Sequence, residues 1–175
     1  IVMGNCGVGF APADPERRDW LIQLMEGVED IPGSALVEGM SWNWETFPEY
    51  LDEVERMPRV LDVAALVPHG AVRAYVMGDQ AAVHDQASAE QIDAMTDIVR
   101  DALTAGAIGF STTRTLLHRA KDGELAAGAG GVAQAACMGF DQALVCAASP
   151  DWQCADQLEL IRSNNVGNGV LCCKS

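Results

Sequence analysis

The sequence predicts an α/β fold in which parallel strands are covered by helices. Short apolar runs at residues 1–5, 61–67 and 107–111 indicate buried strands, and amphipathic helical segments separate them along the chain. Strands that alternate with helices favour right-handed crossovers and a parallel sheet. Three strands cannot close a (β/α)8 barrel, which typically takes about 250 residues. The alternation therefore leaves open a small open sheet and a piece of a barrel.

The first strand and the helix after it are recognised by their end residues. Gly4 stops the apolar run that begins at Ile1. A helix is predicted over residues 15–29, because apolar side chains recur there with helical spacing. Pro15 suits its first turn, where the missing N–H would be unpaired in any case. Residues 30–44 contain two glycines and a proline and are predicted to form a loop.

Two later helices begin with capping boxes. Thr46 is followed three residues later by Glu49, and Ser88 is followed by Gln91 at the same spacing. In each pair the hydroxyl can accept from the backbone N–H of the third residue, whose side chain can reach back. Pro58 is predicted to end the first of these helices. A glycine at residue 106 can cap the second in the left-handed conformation, just before the third strand.

Composition limits the classes of partner. The chain has 175 residues and a formal net charge of −14, so its surface repels nucleic acid and anionic lipid. It has neither an apolar run of 18 residues nor a visible signal peptide, so we expect no membrane insertion. Cys6 stands apart from the other five cysteines, and no pair has the CxxC spacing. This distribution favours a reducing compartment, and we expect a cytoplasmic protein.

The sequence changes character near Leu125, which predicts two regions. Residues 1–125 carry clear periodic segments and most of the charge. Residues 126–175 carry four acidic and two basic residues, and they are rich in Ala, Gly and Cys. The origin of this tail stays open between a shifted reading frame of GC-rich DNA and a genuine helical segment around residues 151–162.

Candidate functional residues follow the predicted strands, where parallel α/β folds place their working side chains. Cys6 follows the first strand, His69 the second, and the stretch 111–118 the third. The thiol of Cys6 could bind zinc, form a disulfide or be a buried, inert group. His69 could bind a metal or substrate, transfer a proton, or be a structural residue.

The segment after the third strand could bind a carboxylate. Arg114 lies there with His118 and Arg119, and an arginine can hold a carboxylate with two hydrogen bonds. Pairing with surface acids is the alternative. Earlier in the chain, Trp42 and Trp44 could line a pocket, although packing in the core or under a lid fits them equally well.

Five stretches then occur in the order and spacing of one family: VMGNCGVGFAP, DWLIQLMEGVEDIPGSAL, WNWETFPEYLD, DVAALVPHGAVRAYVMG and LTAGAIGFSTTRTLLHR. Over residues 1–125 the chain resembles the N-acyl-D-amino-acid deacylase (D-aminoacylase) branch of the amidohydrolase superfamily. The resemblance implies part of a metal-dependent (β/α)8 TIM barrel. It also implies hydrolysis of a linear amide, typically the N-acyl bond of a small-molecule N-acyl-D-amino acid, by metal-activated water.

The resemblance further implies roles for individual residues. Cys6, in the GNCG stretch, corresponds to a zinc ligand of the family, and His69 with Arg73 corresponds to a His-x-x-x-Arg segment near the site. A substrate-side or supporting role is implied for these two, and we assign the same expectation to Arg114 and His118. The family's His-x-His pair is absent, and residues 126–175 contain no histidine.

These departures predict a chain that is inactive by itself. The general base and the other metal ligands are expected outside this sequence, so zinc is expected in the intact enzyme. A non-catalytic α/β binding or remnant module is the alternative function. A partial barrel also leaves apolar surface uncovered, and we expect self-association.

Overall fold

The computed structural model describes residues 1–4, 7–82, 87–113 and 168–172. Within these ranges short strands alternate with helices, as the sequence predicts. The elements in chain order are β1 Val2–Met3, a 3-10 helix Pro15–Arg17, α1 Arg18–Glu29, α2 Gly33–Gly39, α3 Phe47–Arg56, β2 Ala64–Ala65, β3 Val67–Pro68, α4 His69–Met77, α5 Asp79–Ala82, α6 Ala89–Ala105, β4 Gly109–Thr113 and β5 Asn168–Cys172.

The segment 64–68 forms the centre of the sheet. It runs parallel to β1 on one side and to β4 on the other. The Leu66 N–H donates to the Met3 carbonyl at 3.0 Å, and the Ile108 N–H donates to the Ala65 carbonyl at 3.0 Å. Successive strands of the chain are therefore neighbours in space, which is the arrangement of consecutive βα units. The predicted parallel pairing is confirmed for these strands.

One face of these strands packs against the helices. Val67 of β3 and Phe110 of β4 belong to the main hydrophobic core, together with residues of α4 and α6. Side chains alternate between the two faces of a strand, so Pro68 and Ser111 lie on the other face. The helical residues that are almost completely buried in this core include Phe47, Val72, Met95, Val99 and Ala102.

Both predicted capping boxes are present. Thr46 Oγ1 accepts from the Glu49 N–H at 3.4 Å, and Glu49 Oε2 accepts from the Thr46 N–H at 2.9 Å. The backbone N–H groups of Thr46 and Glu45 both donate to Glu49 Oε2, and they lower the pKa of Glu49. At α6 the reciprocal bonds between Ser88 and Gln91 measure 3.2 and 2.9 Å. The predicted cap at Gly106 is also confirmed, because this residue has a φ of 119°.

The loop predicted for residues 30–44 is wrong in part, because residues 33–39 form α2. Pro32, with φ −55° and ψ 130°, precedes the helix, and glycines lie at both of its ends. The five residues between those glycines include Ala, Leu and Glu, which have high helix propensity. Gly and Pro act here as terminal residues of a short helix.

The strand predicted over residues 61–67 begins later than expected. Leu61 is 57% exposed, and pairing with β1 starts at Ala64. Residues 64–65 and 67–68 are two short strands in one segment, each paired with a different neighbour. An apolar run identifies a strand without fixing where its partners begin.

One strand comes from the predicted tail. β5 pairs antiparallel with β4, with Val170 opposite Ser111. The sequence did not predict this strand, and the helix considered for residues 151–162 lies outside the described residues. Among the helices that the structure describes, we find none with the length and apolar character needed to cross a membrane.

Replacing Thr46 with alanine should destabilise the chain through α3. The substitution removes the cap of the Glu49 N–H, and N-cap losses typically cost about 1 kcal/mol. The free energy of unfolding, measured by urea denaturation, should fall by that amount. Thr104→Ala is the matched control, because Thr104 lies exposed within α6 and, among the described residues, its hydroxyl bonds only to the Arg100 carbonyl of the same helix. Equal losses in the two variants would contradict the capping role.

Candidate functional site

The candidate site lies at the carboxyl ends of β1, β3 and β4. Gly4 directly follows β1 and Gly7 lies three residues later, α4 begins directly after β3, and Ser111 and Thr112 lie near the end of β4. We call the segment from Gly4 to Gly7 the Gly4–Gly7 turn, because Ser111 bonds to both of its ends. Parallel strands of neighbouring βα units present these ends at one edge. The structure therefore brings together two of the three positions that the sequence singled out, and it places the flanks of the third beside them.

Ser111 joins the two flanks of the turn. Its hydroxyl donates to the Gly4 carbonyl and accepts from the Gly7 N–H, at 3.2 Å in the second bond. The Gly7 carbonyl in turn accepts from the Gly70 N–H at 2.9 Å. Ser111 is fully buried. A buried backbone group that loses its partner costs about 1–3 kcal/mol, so this hydroxyl constrains the turn strongly.

The turn also requires glycine at both flanks. Gly4 and Gly7 have φ values of 82° and 77°, in the region that L side chains rarely adopt. A Cβ on Gly4 would lie 2.8 Å from the Leu66 carbonyl oxygen, which is closer than real Cβ contacts allow. Glycine at these two positions allows positive φ values and lets the backbone of Gly4 lie against the Leu66 carbonyl of the central segment.

His69 is buried at the start of α4. The side chain is 1% exposed, its Nδ1 lies 3.1 Å from Thr112 Oγ1, and its ring centroid is 5.8 Å from that of Phe110. Burial lowers its pKa to about 3, and the charge of Arg73 contributes to this shift. The imidazole is therefore neutral near pH 7. In this form it can exchange hydrogen bonds or offer a nitrogen to a metal, but it carries no positive charge.

Arg73 lies one helical turn after His69 on the same face of α4. Its side chain is fully buried, which separates it from the exposed arginines that pair with surface acids. The predicted His-x-x-x-Arg segment thus forms a buried unit. Burial of a guanidinium in a helix beside a neutral imidazole is unusual for a purely structural residue.

The other predicted site residues lie outside the described residues. Cys6, Arg114 and His118 belong to this group. Their assignments stay predictions. In the ranges that the structure describes, no group of three His, Cys, Asp or Glu residues could hold a metal ion.

Trp42 and Trp44 contribute to packing. Trp44 is 5% exposed, and its Nε1 donates to the Phe10 carbonyl at 2.7 Å. The two indoles stack with centroids 5.5 Å apart, and the Arg18 guanidinium lies over Trp42 at 5.6 Å. These contacts hold the loop after β1 against the segment before α3. The packing interpretation of the tryptophans is confirmed.

An apolar cavity of about 180 Å³ lies between the strands and the first helices. Met3 and Leu66 line it from the strands, and Phe47 and Tyr50 line it from α3. The Tyr50 hydroxyl lies 3.9 Å from Met3 Sδ, and burial raises the pKa of this tyrosine. The cavity offers volume for an apolar group and little that could react with one.

Sequence reasoning did not single out Ser111 and Thr112 individually. Both lay within or beside a predicted strand end, and their hydroxyls bond to the turn and to His69. A run of small hydroxyl residues at the end of a buried strand was the available signal. It was weak, because serine and threonine are common in turns and strands for other reasons.

Comparison with known proteins adds to this geometry. The model of the family described as "Amidohydrolase family" matches residues 2–163. The chain belongs to the amidohydrolase family. The match runs past the boundary at Leu125 that composition predicts, and that boundary stays a prediction.

This amidohydrolase chain is similar to curated enzymes of Alcaligenes xylosoxydans xylosoxydans. It is 36% identical to a D-aminoacylase over 112 residues, which is 64% of this chain and 20% of the relative. It is 34% identical to an N-acyl-D-glutamate deacylase over 116 residues, again 64% of this chain and 20% of the relative. The chain thus spans about a fifth of the length of these relatives. The predicted resemblance to the D-aminoacylase branch is confirmed.

A solved D-aminoacylase structure, from work on its binuclear metal centre, is similar in fold. The TM-score is 0.51 at 27% identity, and the match covers 82% of this amidohydrolase chain and 25% of the solved chain. The family and this likeness together imply a TIM-barrel-like metal-hydrolase fold, to which the parallel strands described above conform.

The buried histidine should make the stability of the chain depend on pH. Below about pH 6.5 the unfolded state binds a proton that folded His69, with a pKa of about 3, does not bind. Stability should therefore fall as the pH drops from 6.5 towards 3. Between pH 6 and pH 5 the wild type should lose about 1 kcal/mol relative to His69→Asn, whose side chain does not titrate. Denaturation curves at each pH measure this difference, and parallel pH dependence of the two proteins would contradict it.

Proposed function

We propose that this chain is part of a zinc-dependent amidohydrolase that cleaves the N-acyl bond of an N-acyl-D-amino acid by metal-activated water. The substrate class is that of the relatives, a D-aminoacylase and an N-acyl-D-glutamate deacylase. In this proposal the chain forms one sector of a (β/α)8 barrel, with residues 1–125 as the barrel part. The cytoplasmic location inferred from the cysteines belongs to the same proposal.

The observation that supports this proposal most directly is the position of the turn between Gly4 and Gly7. Its flanks are bonded to Ser111 of β4 and to the first turn of α4, at the carboxyl ends of adjacent parallel strands. Barrel enzymes place catalytic groups at these ends. Cys6, which we propose as a zinc ligand, belongs to this turn in the sequence.

The described residues do not by themselves provide a metal site. They contain no group of three suitable ligands, and their one histidine, His69, has its Nδ1 next to the Thr112 hydroxyl. The donor set is therefore too small for the zinc that the family implies, and we assign no catalytic step to a metal here. We propose that His69 and Arg73, which lie in α4 directly after β3, support the site. We propose Arg114 and His118 as residues on the substrate side.

The described residues contain no group of three metal ligands, and this favours a second candidate function for the isolated chain. A non-catalytic α/β module would show the same strands and helices without turnover. The two candidate functions make different predictions for a chimera in which another protein supplies the rest of the barrel.

A segment exchange tests the proposed function. Residues 1–113 would replace the corresponding segment of the D-aminoacylase with which they align. The chimera should bind zinc and hydrolyse N-acetyl-D-methionine but not its L enantiomer, whereas the 175-residue chain alone should do neither. Elemental analysis measures the metal, and amino-acid release measures turnover.

Cys6→Ser in the same chimera should lower both zinc content and turnover, since a hydroxyl is a poor zinc ligand. Ser41→Ala is the control, because Ser41 is exposed and its hydroxyl bonds only to Glu53 within the described residues. A folded chimera without turnover, or one unaffected by Cys6→Ser, would contradict the proposal and favour the non-catalytic module.

We further propose that the isolated chain associates with itself through an amino-end patch, defined as Ile1, Val2, Val60 and Leu61. These side chains are 68%, 52%, 99% and 57% exposed. The Ile1 amine donates to the Asp62 carbonyl at 2.8 Å, which holds the two segments together. The net charge of −14 opposes association, so salt should promote it by screening.

Val60→Lys with Leu61→Lys should shift the chain towards the monomer in sedimentation velocity at moderate salt. Removal of two large apolar side chains from the patch lowers the apolar area available for burial. Val37→Lys is the control, because Val37 is 54% exposed but belongs to α2. A wild-type chain that stays monomeric and unfolds in one sharp transition at all concentrations would contradict self-association.

A further inference from the structure

The hydroxyl of Ser111 contacts both sides of the turn that contains Cys6. It donates to the carbonyl before Asn5 and Cys6 and accepts from the N–H after them. A hydroxyl can donate and accept at one oxygen atom, whereas a backbone N–H only donates and a backbone carbonyl only accepts. The bonds span 107 and 104 residues of sequence, so they form only after the strands have assembled.

The surroundings fix this hydroxyl in place. Ser111 is fully buried, and the neighbouring residue Phe110 packs into the core on the opposite face of β4. The register with β3 sets Ser111 opposite Pro68, directly before α4. The Gly70 N–H of α4 then bonds to the Gly7 carbonyl at 2.9 Å. Both β4 and α4 therefore bond to Gly7, and among the described residues Ser111 bonds to both Gly4 and Gly7.

We propose that Ser111 is a positioning residue: its hydroxyl fixes Gly4 and Gly7 relative to each other, on either side of Cys6 in the sequence. The inference deepens the proposed function and rests on it for the role of Cys6. Its structural content, that one hydroxyl sets the turn, stands on the contacts above. Alanine at this position keeps the strand and removes both bonds, while threonine keeps a hydroxyl.

The test uses the metal-free 175-residue chain and two site-specific readouts. Amide exchange of the Gly7 N–H is followed by NMR on the ¹⁵N-labelled protein. Alkylation of Cys6 by N-ethylmaleimide is followed by mass spectrometry on the tryptic peptide that ends at Arg17, in which Cys6 is the only cysteine. Neither readout requires metal or substrate, so a failure of the proposed function leaves this test intact.

Ser111→Ala should raise both rates about fivefold or more, because the turn opens more often once these bonds are lost. Ser111→Thr, which keeps a hydroxyl, should have both rates closer to those of the wild type than Ser111→Ala has. Thr96→Val removes a partly buried hydroxyl that bonds to the Ile92 carbonyl within α6 and should leave both rates unchanged. Equal rates in Ser111→Ala and wild type, or equal increases in Thr96→Val, would overturn the proposal.

If Ser111→Ala fails to fold, amide exchange of the Gly7 N–H in the wild-type chain tests the proposal instead. The Gly7 N–H should then be protected from exchange to within about tenfold of the Leu66 N–H, which is bonded between strands. A Gly7 N–H that exchanges at the rate of an unprotected amide would overturn the role of Ser111.

Discussion

The central segment 64–68 is the constraint on which the described structure depends. Its backbone bonds to β1 on one side and to the segment entering β4 on the other, and Leu66 and Val67 are almost completely buried. Each neighbouring strand takes its register from this segment. The residues at the carboxyl ends of these strands therefore have fixed positions relative to one another, although they are up to 107 residues apart in sequence. A change in the register of the central segment would move the turn, α4 and Ser111 together.

Local sequence signals predicted α1, α3, α6 and the strand order, but not α2, α4 or α5. The capping boxes at Thr46 and Ser88 were reliable because their bonds close within four residues. The strand ends were less predictable. Leu61 and Val63 are apolar like the residues that follow, yet pairing starts at Ala64, since it depends on where β1 lies. Pro32 and the glycines around α2 show the same limit, because Gly and Pro mark helix ends as readily as loops.

The candidate site was likewise predictable only where its features depend on local sequence. The position of His69 after a buried strand could be predicted, and so could its neighbour Arg73 in the family segment. Its burial, its neutral imidazole and its contact with Thr112 could not, because they arise from a strand more than 40 residues later. Ser111 carries no signature of its own, since a serine at a strand end acquires its role only when two distant backbone groups come within its reach.

The bonds to the two ends of the Gly4–Gly7 turn can form without the rest of the proposed barrel. The bonds that fix the Gly4–Gly7 turn come from β4 and α4, both inside this chain, so the turn does not depend on more distant strands. Catalysis is different in kind, because a metal needs several donors and a base, and barrel enzymes gather these from many strands. Under the proposed function, positioning is therefore a local property of this chain, while chemistry would be a property of the whole barrel. This separation is the reason that turn geometry and catalytic activity can be tested independently in this protein.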